Sequence, residues 1–199
     1  MTITSICLVR HGETDWNVMG KIQGRTDIPL NAKGILQAKE CGEFLKGTNW
    51  DVIISSPLKR AKQTAEIINT YLHIPLEEMD EFIERHFGKA EGMTLEERMT
   101  AYPDKQYPNQ EELLSVEKRV KIGINKIHEK YKDGKVLLVA HGAVINTILS
   151  LFSDGELGYG KTNLVNACIS NIEYFQEKWK VKDYNQISHL SQYRNIEKG

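Results

Sequence analysis

Apolar and polar positions fall along this chain in blocks of two sizes. Short apolar runs at 5–9 (SICLV), 51–55 (DVIIS) and 136–140 (VLLVA) have the length of buried strands. Longer amphipathic stretches come after each of them. The first, PLNAKGILQAKECGEFLKG, predicts a helix capped by Asn31 and stopped by Gly47, with Ile35, Leu36, Ala38, Cys41, Phe44 and Leu45 on one face. LKRAKQTAEIINTYL (58–72) and AVINTILSLF (143–152) predict two more helices. A long helix over residues 111–132 has an apolar stripe of Leu113, Leu114, Val116, Val120, Ile124 and Ile127, and an edge strand is expected at 76–83. Two β-type runs, ACISNIEYF and KWKVKDY, close the pattern.

Strands alternating with helices place the chain in the α/β class, with a largely parallel sheet covered on both faces. No repeat, low-complexity block or linker divides the 199 residues, so a single domain spanning 1–199 is expected. The charge balance is near neutral, 26 Lys and Arg against 27 Asp and Glu. That balance argues against nucleic-acid and anionic-membrane partners, which favour a basic excess. Cys7, Cys41 and Cys168 are widely spaced within apolar patterns and read as buried thiols in a reducing compartment. The start MTITSIC lacks the features of a signal peptide, and no apolar stretch approaches a membrane span. A cytoplasmic location is the expectation, and a homodimer is left open.

The candidate chemistry lies where strands stop. VRHG (9–12), SSPLKR (55–60) and VAHG (139–142) sit at three carboxyl ends, where ligands of parallel sheets bind. Taken alone, Arg60 reads as a solvated helix residue and His141 as a hydrogen-bonded histidine. Taken together, Arg10, His11, Arg60 and His141 converge on one rim. Guanidinium forks match tetrahedral oxyanions, and a neutral imidazole among them can attack phosphorus. Neighbouring guanidinium charge disfavours the imidazolium form. A metal site is the competing use of these residues. H-E-x-x-H and close H-x-H pairs are absent, however, and the arginines would repel a divalent cation, so no metal and no cofactor is expected.

LVRHGETDWN, QGRTDIPLN, SSPLKRAKQTA, ERHFGKAEG and LLVAHG occur in that order, and together they resemble the histidine phosphatase superfamily, on its branch of small broad-specificity phosphatases. The resemblance implies a three-layer α/β/α sandwich with a mostly parallel sheet, an antiparallel edge and a small cap-like segment around 85–112. It implies His11 as a nucleophile that becomes phosphohistidine, with Arg10, Arg60, Asn17 and Gln23 binding the phosphoryl group beside His141. Glu84 matches the general acid; read without the motif it is a surface residue ending an edge strand. Gly12, Glu91 and Gly142 match supporting positions. Two departures bear on substrate preference. YPNQEELLS has Gln110 and Glu112 where relatives often carry Gly and Ser near the substrate entrance, and Ala90 stands where many carry an aromatic residue.

The function this implies is metal-independent hydrolysis of small phosphorylated metabolites. The alternative is a 2,3-bisphosphoglycerate-dependent phosphoglycerate mutase, which usually carries a longer insertion after the acid. A non-catalytic phospholigand-binding module is the third reading, and the complete set of core positions argues against it.

Overall fold

Alternation inside the short apolar runs builds the middle of the fold, because successive side chains on a strand point to opposite faces. A computed structural model of the chain describes residues 3–193. Its six strands are β1 (Thr4–Arg10), β2 (Val52–Ser55), β3 (Leu76–Glu78), β4 (Lys135–Ala140), β5 (Ile169–Phe175) and β6 (Lys178–Gln186). The helices are α1 (Asp15–Val18), α2 (Ala32–Leu45), α3 (Lys59–Leu72), α4 (Leu95–Ala101), α5 (Leu113–Lys130) and α6 (Gly142–Phe152). The sheet order is β3-β2-β4-β1-β5-β6. The first four strands in that order are parallel, while β5 and β6 form an antiparallel edge beside β1.

Two cores flank this sheet. Ile6, Leu8, Ile54, Val136 and Leu138 face α5 and α6, whereas Cys7, Val9, Ile53, Leu137 and Val139 face α2 and α3. The result is the expected α/β/α sandwich. All three cysteines are buried and free. No helix among the described residues is long and apolar enough to cross a membrane.

Three expectations are corrected. On α2 the large apolar residues Ile35, Leu36 and Phe44 face outward, and the buried side is Gly34, Gln37, Ala38, Cys41, Gly42 and Leu45. Close approach decides this orientation. A Cβ on Gly34 would lie 2.1 Å from the Glu13 carbonyl oxygen, and one on Gly42 would lie 2.4 Å from the Tyr71 ring. Secondly, Leu113 and Leu114 are exposed at the first turn of α5, and the buried stripe starts at Val116. Thirdly, the edge strand ends at Glu78, where the Met79 amide donates to the Ser55 carbonyl. A 3₁₀ turn, Asp80–Phe82, follows, so Glu84 does not end a strand.

Phe82 is fully buried and drives that turn into the core against α5. Gly123 receives it, since a Cβ there would sit 2.6 Å from the Phe82 ring. Phe82→Ala is therefore expected to destabilise the protein by about 3–5 kcal/mol, read from urea unfolding. A loss under ~1 kcal/mol would show that the turn is not anchored by this ring.

Candidate active site

Because β2, β4 and β1 are neighbours, their carboxyl ends open onto one place. The His11 amide donates to the Ala140 carbonyl at 3.0 Å, tying the end of β1 to that of β4. The Gly12 amide donates to Thr64 Oγ1 on α3 at 3.0 Å. Only glycine fits at position 12, where a Cβ would meet the Gly34 carbonyl oxygen at 2.4 Å.

His11 Nδ1 lies 2.7 Å from the Gly12 carbonyl oxygen. A carbonyl only accepts, so Nδ1 carries the proton and Nε2 keeps its lone pair. Burial, then the charges of Arg60 and Arg10, hold the His11 pKa well below its ordinary value. The ring is therefore neutral at pH 7. The His141 ring centroid lies 5.3 Å from that of His11. His141 Nε2 pairs with Ser56 Oγ at 2.7 Å, while its Nδ1 is buried with no partner among the described residues. Burial is also the main cause of its lowered pKa, with Arg60 next.

Arg60 is buried and Arg10 is half-buried with its Nε covered, and backbone carbonyls satisfy only part of each. Arg10 donates to the Leu164 carbonyl, and Arg60 to those of Gly24 (2.7 Å) and Thr26 (3.0 Å). The Nε of each lacks a partner. Burial lowers Arg60 to about 10, which leaves it charged at neutral pH. Among the described residues neither guanidinium pairs with a carboxylate, so two cations keep unsatisfied donors, the arrangement that suits an anion.

Glu84 is buried, not superficial. Its carboxylate accepts from the Arg85 amide at 2.9 Å and from Ala143 and Val144, at 3.1 and 3.3 Å, in the first turn of α6. Asn17 Oδ1 accepts from the Thr14 amide and from Asn166 Nδ2, while Gln23 Oε1 accepts from Thr14 Oγ1. Glu91 staples the Gly24–Thr26 loop, accepting from the Arg25 and Thr26 amides, the Thr26 hydroxyl and the Phe87 amide. Burial pushes the Glu91 pKa up, yet these donors together hold it below its ordinary value.

A cavity of about 410 Å³ gathers Arg10, His11, Asn17, Gln23, Arg60, Glu84 and Gly142 on its walls. His141, Gly12 and Glu91 stand behind those walls. Gln110, Glu112 and Ala90 are not among the residues lining the cavity. Ala90 packs with Phe87 and Ala143 in a small apolar cluster beneath the cap segment. Lys21, Asn146, Tyr159, Thr162 and Asn163 do line it and were not anticipated. Asn166 was also missed; its Nδ2 reaches the His11 carbonyl at 3.1 Å and Asn17 Oδ1 at 3.2 Å. Nothing in the local spacing of these residues marks them.

The family model of the histidine phosphatase superfamily (branch 1) matches residues 6–187. The chain belongs to that superfamily. An uncharacterized phosphatase PhoE of Bacillus subtilis is 58% identical over 95% of this chain and 98% of its own length. A metal-independent phosphoserine phosphatase of Arabidopsis thaliana is 32% identical, covering 99% of this chain and 87% of its own. The crystal structure of an Entamoeba histolytica phosphoserine phosphatase variant with phosphoserine superposes with a TM-score of 0.82 at 30% identity, over 94% of this chain and 99% of that one. Proteins named probable phosphoglycerate mutases match too, the Proteus mirabilis one at 32% identity over 94% of this chain and 94% of its own.

In this histidine phosphatase the two buried imidazoles of the cavity, His11 and His141, make folding sensitive to acid. The unfolded chain protonates both below about pH 6.5, while the folded protein, with both pKa values depressed, does not. Their contribution is complete above the unfolded value and is lost as pH falls toward the folded ones, about 1.4 kcal/mol per pH unit for each. Urea midpoints should fall below about pH 6.5, less steeply in His11→Gln. A profile unchanged by that substitution would contradict the neutral, buried assignment.

Proposed function

We propose that this phosphatase is a metal-independent phosphomonoesterase that hydrolyses small phosphorylated metabolites through a phosphohistidine at His11. The observation that carries this reading is the Nδ1–H bond to the Gly12 carbonyl, which leaves a neutral Nε2 beside two unsaturated guanidinium groups. Nε2 attacks phosphorus, forming N–P as the ester P–O bond breaks, and Glu84 gives its proton to the departing oxygen. Arg10 and Arg60 take the charge on the transferring oxygens, and His141 supplies Nδ1–H beside them. Water then attacks the phosphohistidine. Its proton returns to Glu84, and inorganic phosphate leaves with His11 restored.

Hydrolysis is favoured over mutase chemistry because the segment between Glu84 and α5 is short, holding one helix of seven residues, α4. A mutase must shield its phosphohistidine from water. The three buried free thiols fit a reducing cytoplasm.

His11→Ala should lose nearly all turnover while keeping its fold, and rapid quench of the wild type should trap acid-labile, base-stable phosphate. Substantial activity in folded His11→Ala would sink the mechanism. Arg60→Ala should lower kcat about a hundredfold or more, as for a lost oxyanion donor, with EDTA leaving the wild type unaffected. Activity abolished by EDTA and restored by zinc would replace this reading with a metal one. Glu84→Gln should impair alkyl phosphates far more than p-nitrophenyl phosphate, whose leaving group departs without a proton. Equal losses on both would remove Glu84 as the acid. Efficient, primer-dependent interconversion of 3- and 2-phosphoglycerate would establish the mutase instead.

A further inference from the structure

A phosphoryl group held by Arg10 and Arg60 leaves a third cation of the same cavity unused. Lys21 lies on the wall beyond the clamp. Its side chain has no hydrogen bond or ion pair among the described residues; Nζ sits 5.8 Å from the Trp16 ring centroid. The carboxylate that senses it, Glu97, is exposed and already caps α4 by accepting from the Thr94 amide. Lys21 is nonetheless firmly placed. Its amide donates to the Trp16 carbonyl at 2.9 Å, and the next residue, Ile22, exchanges backbone hydrogen bonds with Gly92 and Met93 of the cap. Trp16 in turn packs against Gly92, where a Cβ would come within 3.1 Å of the ring.

Charge balance says what this amine is for. The cavity wall carries Arg10, Arg60 and Lys21 against a single carboxylate, Glu84. When Glu84 holds the proton for the leaving oxygen, a phosphate dianion balances the two arginines and Lys21 remains uncompensated. The remaining wall is uncharged, apolar at Ile22, Phe87, Ala143 and Leu164 and polar at Asn146, Thr162 and Asn163. Asn146 Oδ1 accepts from the Thr162 hydroxyl at 2.5 Å, which leaves the Asn146 amide NH₂ as a donor, and Asn163 stands beside it. The volume of about 410 Å³ is near the small end for ligand pockets, so the leaving group is short and comes within reach of this wall.

We propose that Lys21 is a specificity residue that pairs with a carboxylate on the leaving alcohol. The preferred substrates are then phosphorylated hydroxy acids, in which the alcohol carries a carboxylate and no ammonium. An ammonium group would face Lys21 and compete for Glu84, so phosphoamino acids should be poorer. This rests on the reading of His11, Arg10 and Arg60 as the phosphoryl site.

The test compares 3-phosphoglycerate with glycerol 3-phosphate, which differ by one carboxylate, and with phosphoserine, which replaces a hydroxyl by an ammonium. In the wild type kcat/KM should favour 3-phosphoglycerate over both by about tenfold or more, the effect of one charge-assisted contact. In Lys21→Met the preference over glycerol 3-phosphate should collapse to near parity, and Lys21→Arg should largely restore it. A preference that survives in Lys21→Met, or is absent from an active wild type, overturns the proposal. Calorimetric binding of the same compounds to His11→Ala, with and without Lys21→Met, applies the comparison without turnover. Equal affinities there overturn the role of Lys21. A Lys21-dependent affinity difference with no hydrolysis by the wild type overturns the phosphatase reading and leaves Lys21 standing.

Discussion

Two guanidinium groups, Arg60 buried and Arg10 half-buried, with no carboxylate partner among the described residues, are the constraint around which this site is organised. Removing such charges from water is expensive, and an internal Asp or Glu would be the usual remedy. Here Leu164, Gly24 and Thr26 offer carbonyl dipoles instead, which satisfy donors without cancelling charge. The positive potential survives into the cavity. Together with burial, it keeps both imidazoles neutral. An arginine-to-lysine exchange would lose the fork that reaches a carbonyl and a ligand at once.

The loop that supplies the Gly24 and Thr26 carbonyls has to be held, and Glu91 holds it. Its oxygens collect donors from Arg25, Thr26 and Phe87, joining the loop after α1 to the start of the cap segment. Gly24 makes the approach possible, with φ of +53° and a missing Cβ that would lie 2.0 Å from Glu91 Oε1. Glu111 does similar work further out, bridging Arg25 and Arg119. The cap is thus wired to the Gly24–Thr26 loop by carboxylates that stand outside the cavity.

The central strands were legible because they are buried on both sides and therefore apolar through their middles, Ile6–Val9, Val52–Ile54 and Val136–Ala140. The inner face of α2 was not, since backbone contact at Gly34 and Gly42 overrides the size of Ile35, Leu36 and Phe44. Arg10, His11 and His141 could be placed from the strands they end. Arg60 needed its neighbours, and Glu84 needed the motif, because a 3₁₀ turn hides its burial from any periodicity. Lys21 and Asn166 had no local signature at all. Asn166 touches its partners across 149 and 155 residues of sequence, a relation only the folded chain displays.

The place of β1 in the sheet has a consequence for synthesis. It is made before the other five described strands, yet it lies between β4 and β5, so neither of its hydrogen-bonding edges has its partner until residues 135–175 exist. At about 5–20 residues per second, the chain between Arg10 and Lys135 takes roughly 6–25 s to translate. Through that interval a nearly uncharged strand with two open edges waits on the ribosome, at risk of wrong pairing. α2 and α3 emerge in the meantime, and the apolar residues they present to Cys7 and Val9 can shelter one face of β1 before its neighbours arrive.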